Sequence, residues 1–192
     1  AAGLTADLTT SQKICALLFF VWLTGMLLFL AYGIYSYIKC RKMVQTAVLL
    51  TSAKQMAGSI HRKVKIWECD RIPSPFVLGI FRPQIYIPFR MEQKQQQYIL
   101  AHESWHIRRY DPLWKLVAFV LLAVYWWNPF AWIAFFYMTR DMEMSCDEAV
   151  LAQFGNEIKQ GYSASLLSFA MERHPYSFAP VACGEGDAGR KD

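Results

Sequence analysis

Twenty-five consecutive residues, Ile14 to Ile38, carry no charged side chain. A helix needs about 20 such residues to cross a bilayer. A buried helix of a soluble protein is the alternative, but the flanks favour a membrane. Tyr35 and Tyr37 suit the interface, and Lys39, Arg41 and Lys42 follow at once. Basic flanks favour the cytoplasmic side. The sequence therefore predicts an external segment over 1–12, a transmembrane helix over 13–38 and a remainder that begins in the cytosol. A signal peptide fits less well, because the run is too long and lacks a small-residue cleavage site.

Composition agrees. Apolar residues make up 55% and charged residues 18%, against roughly 25% charged in soluble domains. The net charge of +5 comes from basic residues that flank apolar segments. That pattern orients a chain in a membrane and lacks the basic stripe of direct nucleic-acid binding. The five cysteines form no Cys-x-x-Cys pair, so reduced thiols facing the cytosol are expected, with no disulfide framework or cysteine metal site. The start without Met and the polar tail over 186–192 read as an excerpt of a longer protein.

Residues 43–58 read as a helix stopped by Gly58. The pattern then changes period: Val64–Glu68 alternates as a strand, and 75–80 and 84–88 read as two more, joined by a turn at Phe81-Arg82-Pro83. The expectation is a small antiparallel sheet whose prolines mark edges. Such an edge can take another extended chain by strand addition, or simply pack on the next helix. Phe89 to Arg109 reads as that helix, with Glu92 and Gln95–Gln97 in solvent and Tyr98, Ile99 and Trp105 in the core. Asp111-Pro112 reads as an N-cap followed by proline in a first turn. The second apolar block, 113–138, is broken by Asn128-Pro129. Each half is too short to span, which leaves a re-entrant or an interfacial hairpin.

The chemistry sits at His102-Glu103-Ser104-Trp105-His106. On a helix, two histidines four apart share one face and can reach one metal ion. The Glu beside the first can address a water there. Zinc suits three protein ligands with one open position. Glu143 and Asp147 are also four apart in a helical pattern; one carboxylate could ligate while the other holds a histidine ring, or both could line a solvated face. If Glu143 joins His102 and His106, residues 107 and 142 must lie on the same side of the membrane. The apolar block must then go in and come back, and Asn128-Pro129 supplies the break. His61 and His174 have no comparable motif partners. Trp126, Trp127 and Trp132 read as membrane anchors; Arg108, Arg109 and Lys115 read as headgroup contacts or ordinary solvated charges.

The ensemble His102–Lys115, Trp126-Trp127-Asn128-Pro129 and Glu143-Met144-Ser145-Cys146-Asp147, with Pro75–Pro88 ahead of it, resembles the BlaR/MecR-type membrane zinc metallopeptidases, bacterial antibiotic-sensing signal transducers. The resemblance covers roughly 38–185. It implies His102, His106 and Glu143 as ligands of Zn2+, Glu103 as general base and then acid, and Asp147 as the carboxylate behind a ligand. It implies an α+β membrane protein with a mostly helical, zincin-like, cytosol-facing metallopeptidase domain over 39–185, including the hairpin 113–138. It also implies cleavage of a cytosolic transcriptional repressor, of the protein itself, or both. In the best-known members a beta-lactam acylates an external sensor domain, and no such sensor is visible in this sequence. The alternatives are a membrane quality-control or processing protease and a non-catalytic signal-transducing module. A homodimer is left open.

Overall fold

In a computed structural model of the chain, residues 9–50, 64–72, 74–89, 91 and 93–154 are described. Their elements run α1 (Thr10–Met43), a 3-10 turn (Val44–Thr46), β1 (Val48–Leu49), β2 (Lys65–Cys69), β3 (Phe76–Leu78), β4 (Gln84–Pro88), α2 (Gln93–Arg109), α3 (Asp111–Val124) and α4 (Pro129–Phe154).

The apolar run forms α1, which extends beyond the expected 13–38 at both ends. Polar Ser11–Lys13 continue the same turn pattern, and Arg41 and Lys42 complement the C-terminal end of the helix dipole. α1 is long and apolar enough to cross a membrane. The expected helix over 43–58 is not formed in its described part. Val48 and Leu49 instead pair with Glu68 and Trp67 of β2, because β-branched and apolar residues beside an unpaired strand gain more from ladder bonds than from one more helical turn. Gly58 lies outside the described residues, as do His61, Glu92, His174 and the segments 1–8 and 186–192.

The sheet order is β1-β2-β4-β3, and β2 runs parallel to β4. The sheet is therefore mixed, not antiparallel. β4 is central, although Pro83 precedes it and Pro88 closes it. At strand ends the missing amide costs no interior ladder bond. β3 is antiparallel to β4 and forms an edge. Gly79 makes the turn between them possible: its φ is +100°, and a Cβ there would lie 2.7 Å from the Arg82 carbonyl oxygen.

Alternation along the strands builds a core on each face of the sheet. Cys69, Phe76, Leu78 and Tyr86 pack with Cys40 and Val44 at the end of α1. Ile66, Ile85 and Ile87 pack with Ile99, Leu100 and Ile107 of α2. The sheet thus anchors the motif helix to the base of the apolar helix. Trp105 is only half-buried, with the Arg108 guanidinium 5.0 Å over its ring. Cys40 is disulfide-bonded, whereas Cys15, Cys69 and Cys146 are free. The expectation of reduced thiols therefore fails at Cys40: an odd count without Cys-x-x-Cys speaks against a framework but not against a single bond.

The second apolar block breaks where Asn128-Pro129 stands. α3 ends at Val124, and the Asn128 side-chain oxygen accepts from the Phe130 amide at 2.9 Å, capping α4. The hairpin lies along α1. Phe119 presses on Gly33 and Trp126 on Gly25; a Cβ would fall 2.6 and 2.3 Å from those rings. Three indoles close the tip: Trp22 Nε1 donates to the Val124 carbonyl (2.8 Å), Trp126 Nε1 to the Trp22 carbonyl (3.2 Å) and Trp132 Nε1 to the Trp126 carbonyl (2.8 Å). Trp22 and Trp132 thus satisfy carbonyls at the helix break, while Trp126 staples the tip to the Trp22 carbonyl within α1. Of Trp126, Trp127 and Trp132, only Trp127 is exposed.

Candidate metal centre

α2 carries His102, Glu103 and His106, and all three are buried. α4 packs across α2 and brings Glu143 to the pair. His102 Nε2 and His106 Nε2 lie 3.1 Å apart, and each is 3.5 Å from Glu143 Oε2. Donors about 2.0–2.2 Å from one ion at tetrahedral angles stand roughly 3.3–3.5 Å from one another. The triangle therefore fits a zinc-sized ion. The donor set, two imidazoles and one carboxylate, suits the same metal.

The outer nitrogens are held too. His102 Nδ1 is 3.1 Å from Asp147 Oδ1, and His106 Nδ1 is 2.7 Å from Asp111 Oδ2. Each ring thus turns Nδ1 to a carboxylate and Nε2 to the common point. A proton held at Nδ1 leaves the Nε2 lone pair for a metal. Asp147 stands where the sequence reading put it. Asp111 does not: it is the first residue of α3, and its side chain is buried against His106. The residue before it, Tyr110, adopts φ 60° and ψ 32°. That left-handed turn folds α3 back under α2. Cys146, fully buried, places its sulfur 3.3 Å from His106 Nδ1 and 3.7 Å from Asp111 Oδ2. The sequence reading missed Asp111, Cys146 and Lys115, whose Nζ donates to Glu143 Oε1 at 3.0 Å. A signal for Asp111 did exist: a carboxylate five residues after the second histidine, beside a helix-starting proline.

The charges reinforce one another. Burial opposes protonation of His102, but hydrogen bonds to Asp147 and Glu143 outweigh it and raise the ring to about 9. Burial likewise opposes protonation of His106, and Asp111, Cys146 and Glu143 together push it up to about 12. Burial would raise Glu143, yet the two imidazoles and Lys115 hold it far below the usual carboxylate range.

A cavity of about 390 Å³ opens beside the triangle. Glu103, His106, Lys115 and Glu143 line its polar end. Phe76 and Val77 of β3 form one wall, and Leu30, Ile34 and Tyr37 of α1 another.

A helix-borne pair of histidines joined by a glutamate from a later helix is the arrangement of a metallopeptidase centre. The chain belongs to the BlaR1 peptidase M56 family, which matches over residues 4–188. It is 27% identical over 178 residues to the regulatory protein BlaR1 of Bacillus licheniformis, covering 87% of this chain and 30% of that protein. It is 23% identical over 168 residues to the methicillin resistance mecR1 proteins of Staphylococcus aureus and Staphylococcus epidermidis, covering 82% of this chain and 29% of theirs. The chain thus spans less than a third of the length of these curated relatives.

Proposed function

We propose that this chain is the zinc endopeptidase module of a membrane-bound bacterial signal transducer, and that it cleaves a cytosolic transcriptional repressor, itself, or both. The observation that carries the proposal is the 3.1, 3.5 and 3.5 Å triangle of His102, His106 and Glu143, with a carboxylate behind each imidazole. The regulatory names of the relatives support the signalling role.

A zinc ion held by those three side chains would supply Lewis acidity and make water a nucleophile near neutral pH. The remaining steps belong to the chain. Glu103, next to His102 and facing the cavity, takes a proton from the attacking water and returns it to the leaving amine. Asp147 and Asp111 keep both rings in one tautomer. β3, at the sheet edge and on the cavity wall, offers backbone for an extended substrate. The apolar part of the cavity takes a side chain flanking the cleaved bond.

The module sits in the bacterial cell membrane with its centre facing the cytosol. α1 exposes Leu17, Leu18, Phe20 and Leu28 by more than 60% each, a surface that suits lipid and not water. The hairpin is re-entrant on this reading, because its tip touches α1 near Trp22 and Gly25, far from the basic end.

The test is to co-express the full-length protein with its neighbouring repressor and compare wild type with Glu103→Ala. Wild type is expected to cleave and to hold one zinc per chain; the variant is expected to keep zinc and lose cleavage by about 100-fold or more. Equal cleavage by both, or a purified wild type without stoichiometric zinc, overturns the proposal.

A further inference from the structure

α3 reaches the centre twice. Asp111 opens the helix and meets His106. Lys115, four residues on, lies one turn further along the same face and meets Glu143. The two oxygens of Glu143 are divided between different partners. Oε2 faces both imidazole Nε2 atoms at 3.5 Å, and Oε1 accepts from Lys115 Nζ at 3.0 Å. A carboxylate with two free oxygens can close on a cation through both. One whose second oxygen takes a charge-assisted hydrogen bond presents a single donor. The Lys115 side chain is 19% exposed and that of Glu143 38%, so the ammonium is the more buried partner of the bond.

We propose that Lys115 is a positioning residue that restricts Glu143 to one metal-facing oxygen and so keeps a coordination position open for substrate. The proposal rests on the zinc-endopeptidase reading and deepens it. It also fixes the sign of an unusual effect. A cation beside a dication opposes metal binding, so loss of Lys115 does not release the metal. Loss frees Oε1 to become a further ligand, and the centre closes.

The test uses the full chain in detergent, loaded with cobalt as a spectroscopic stand-in for zinc. Four-coordinate cobalt absorbs more strongly in the visible than cobalt of higher coordination number, so the spectrum reads geometry directly. Lys115→Met keeps the unbranched four-atom stem, lacks the terminal ammonium and cannot donate. It is expected to retain one cobalt per chain, to absorb more weakly than wild type, and to cleave a peptide pool with kcat lowered about tenfold at little-changed KM. Lys115→Arg, which still donates, restores the wild-type spectrum. If Lys115→Met does not fold, Lys115→Gln, neutral and too short to reach Oε1, carries the same spectral expectation. A variant spectrum that superimposes on wild type overturns the proposal, as does loss of the metal. A wild-type chain that takes up no cobalt overturns the zinc reading and this proposal together.

Discussion

His106 shows how one side chain is fixed from both ends of its ring. Its Nε2 faces His102 and Glu143, and its Nδ1 faces Asp111 at 2.7 Å. Asp111 is 2% exposed. Asp111→Asn keeps the shape but lets the amide favour the wrong ring tautomer. Zinc affinity is expected to fall about 10–100-fold, read by competition with a chromophoric chelator. A second expectation concerns pH. In the metal-free protein the folded rings titrate above an ordinary histidine, His102 near 9. Their contribution to stability is therefore fully present below the unfolded value of about 6.5; that of His102 is lost as pH rises through about 9 and that of His106 only through about 12. Glu143 is shifted downward, so its contribution is present above its unfolded value and lost in acid. Chelator-treated protein should accordingly melt highest in mildly acidic buffer and lower at pH 9, measured by thermal unfolding across that range. Zinc must displace protons from the same rings, so its protection should grow as pH rises from 6 to 9. Motif spacing marked His102, Glu103 and His106 in the sequence, whereas helical spacing left Glu143 and Asp147 open between a site and a solvated face, and only the family resemblance singled them out. Local reading hid Asp111, because Asp before Pro at a helix start has a sufficient local explanation as a cap. Only the left-handed turn at Tyr110 sends that carboxylate elsewhere.

Between elements, the close approaches of α1 and α3 decide whether the centre stays assembled. α3 carries Asp111, Lys115 and Phe119 at four-residue steps along one face, and Phe119, at the far end of that row, lies on Gly33 with 2% exposure. The ring cannot swing out to admit a side chain. Gly33→Leu is expected to cost about 1–3 kcal/mol by overpacking, seen as a lower melting midpoint in detergent. It should also weaken zinc retention, since the helix that shifts carries Asp111, which orients His106. Phe119→Ala in the same chain should recover part of both losses, a coupling that separate defects would not give. The apolar helix and the break at Asn128-Pro129 were readable because hydropathy and proline act locally. The parallel pairing of β2 with β4 was not, because register between strands separated by β3 depends on contacts the local period does not encode. The prolines misled for the same reason: Pro83 and Pro88 mark the ends of β4, and the ends of a central strand look like an edge in sequence.

For the whole molecule, the centre and the bilayer constrain each other. His106 precedes the apolar block and Glu143 follows it, and both approach one point. A single crossing would put the ends of the block about 30 Å apart. If the block lies in a bilayer, as proposed, it returns to the side from which it enters. Its depth follows from α1. The tip hydrogen-bonds at Trp22, and Trp22 stands 17 residues before Lys39, roughly 25 Å at 1.5 Å per residue. Open carbonyls at that depth meet no water, and a broken helix there is tolerated only if they find donors within the protein. The indoles of Trp22 and Trp132 are those donors, to the Val124 and Trp126 carbonyls. An interfacial hairpin, wetted at its tip, would not need them. Three single cysteines separate the cases, placed at Arg108, Trp127 and Arg140 in a chain whose exposed Cys15 is replaced by serine. A membrane-impermeant maleimide should label positions 108 and 140 from the cytosolic side only and leave position 127 unlabelled from either side until detergent is added. Labelling of 127 without detergent would place the hairpin at the surface. Labelling of 108 and 140 from opposite sides would mean a full crossing and would separate Glu143 from the histidines it is proposed to join.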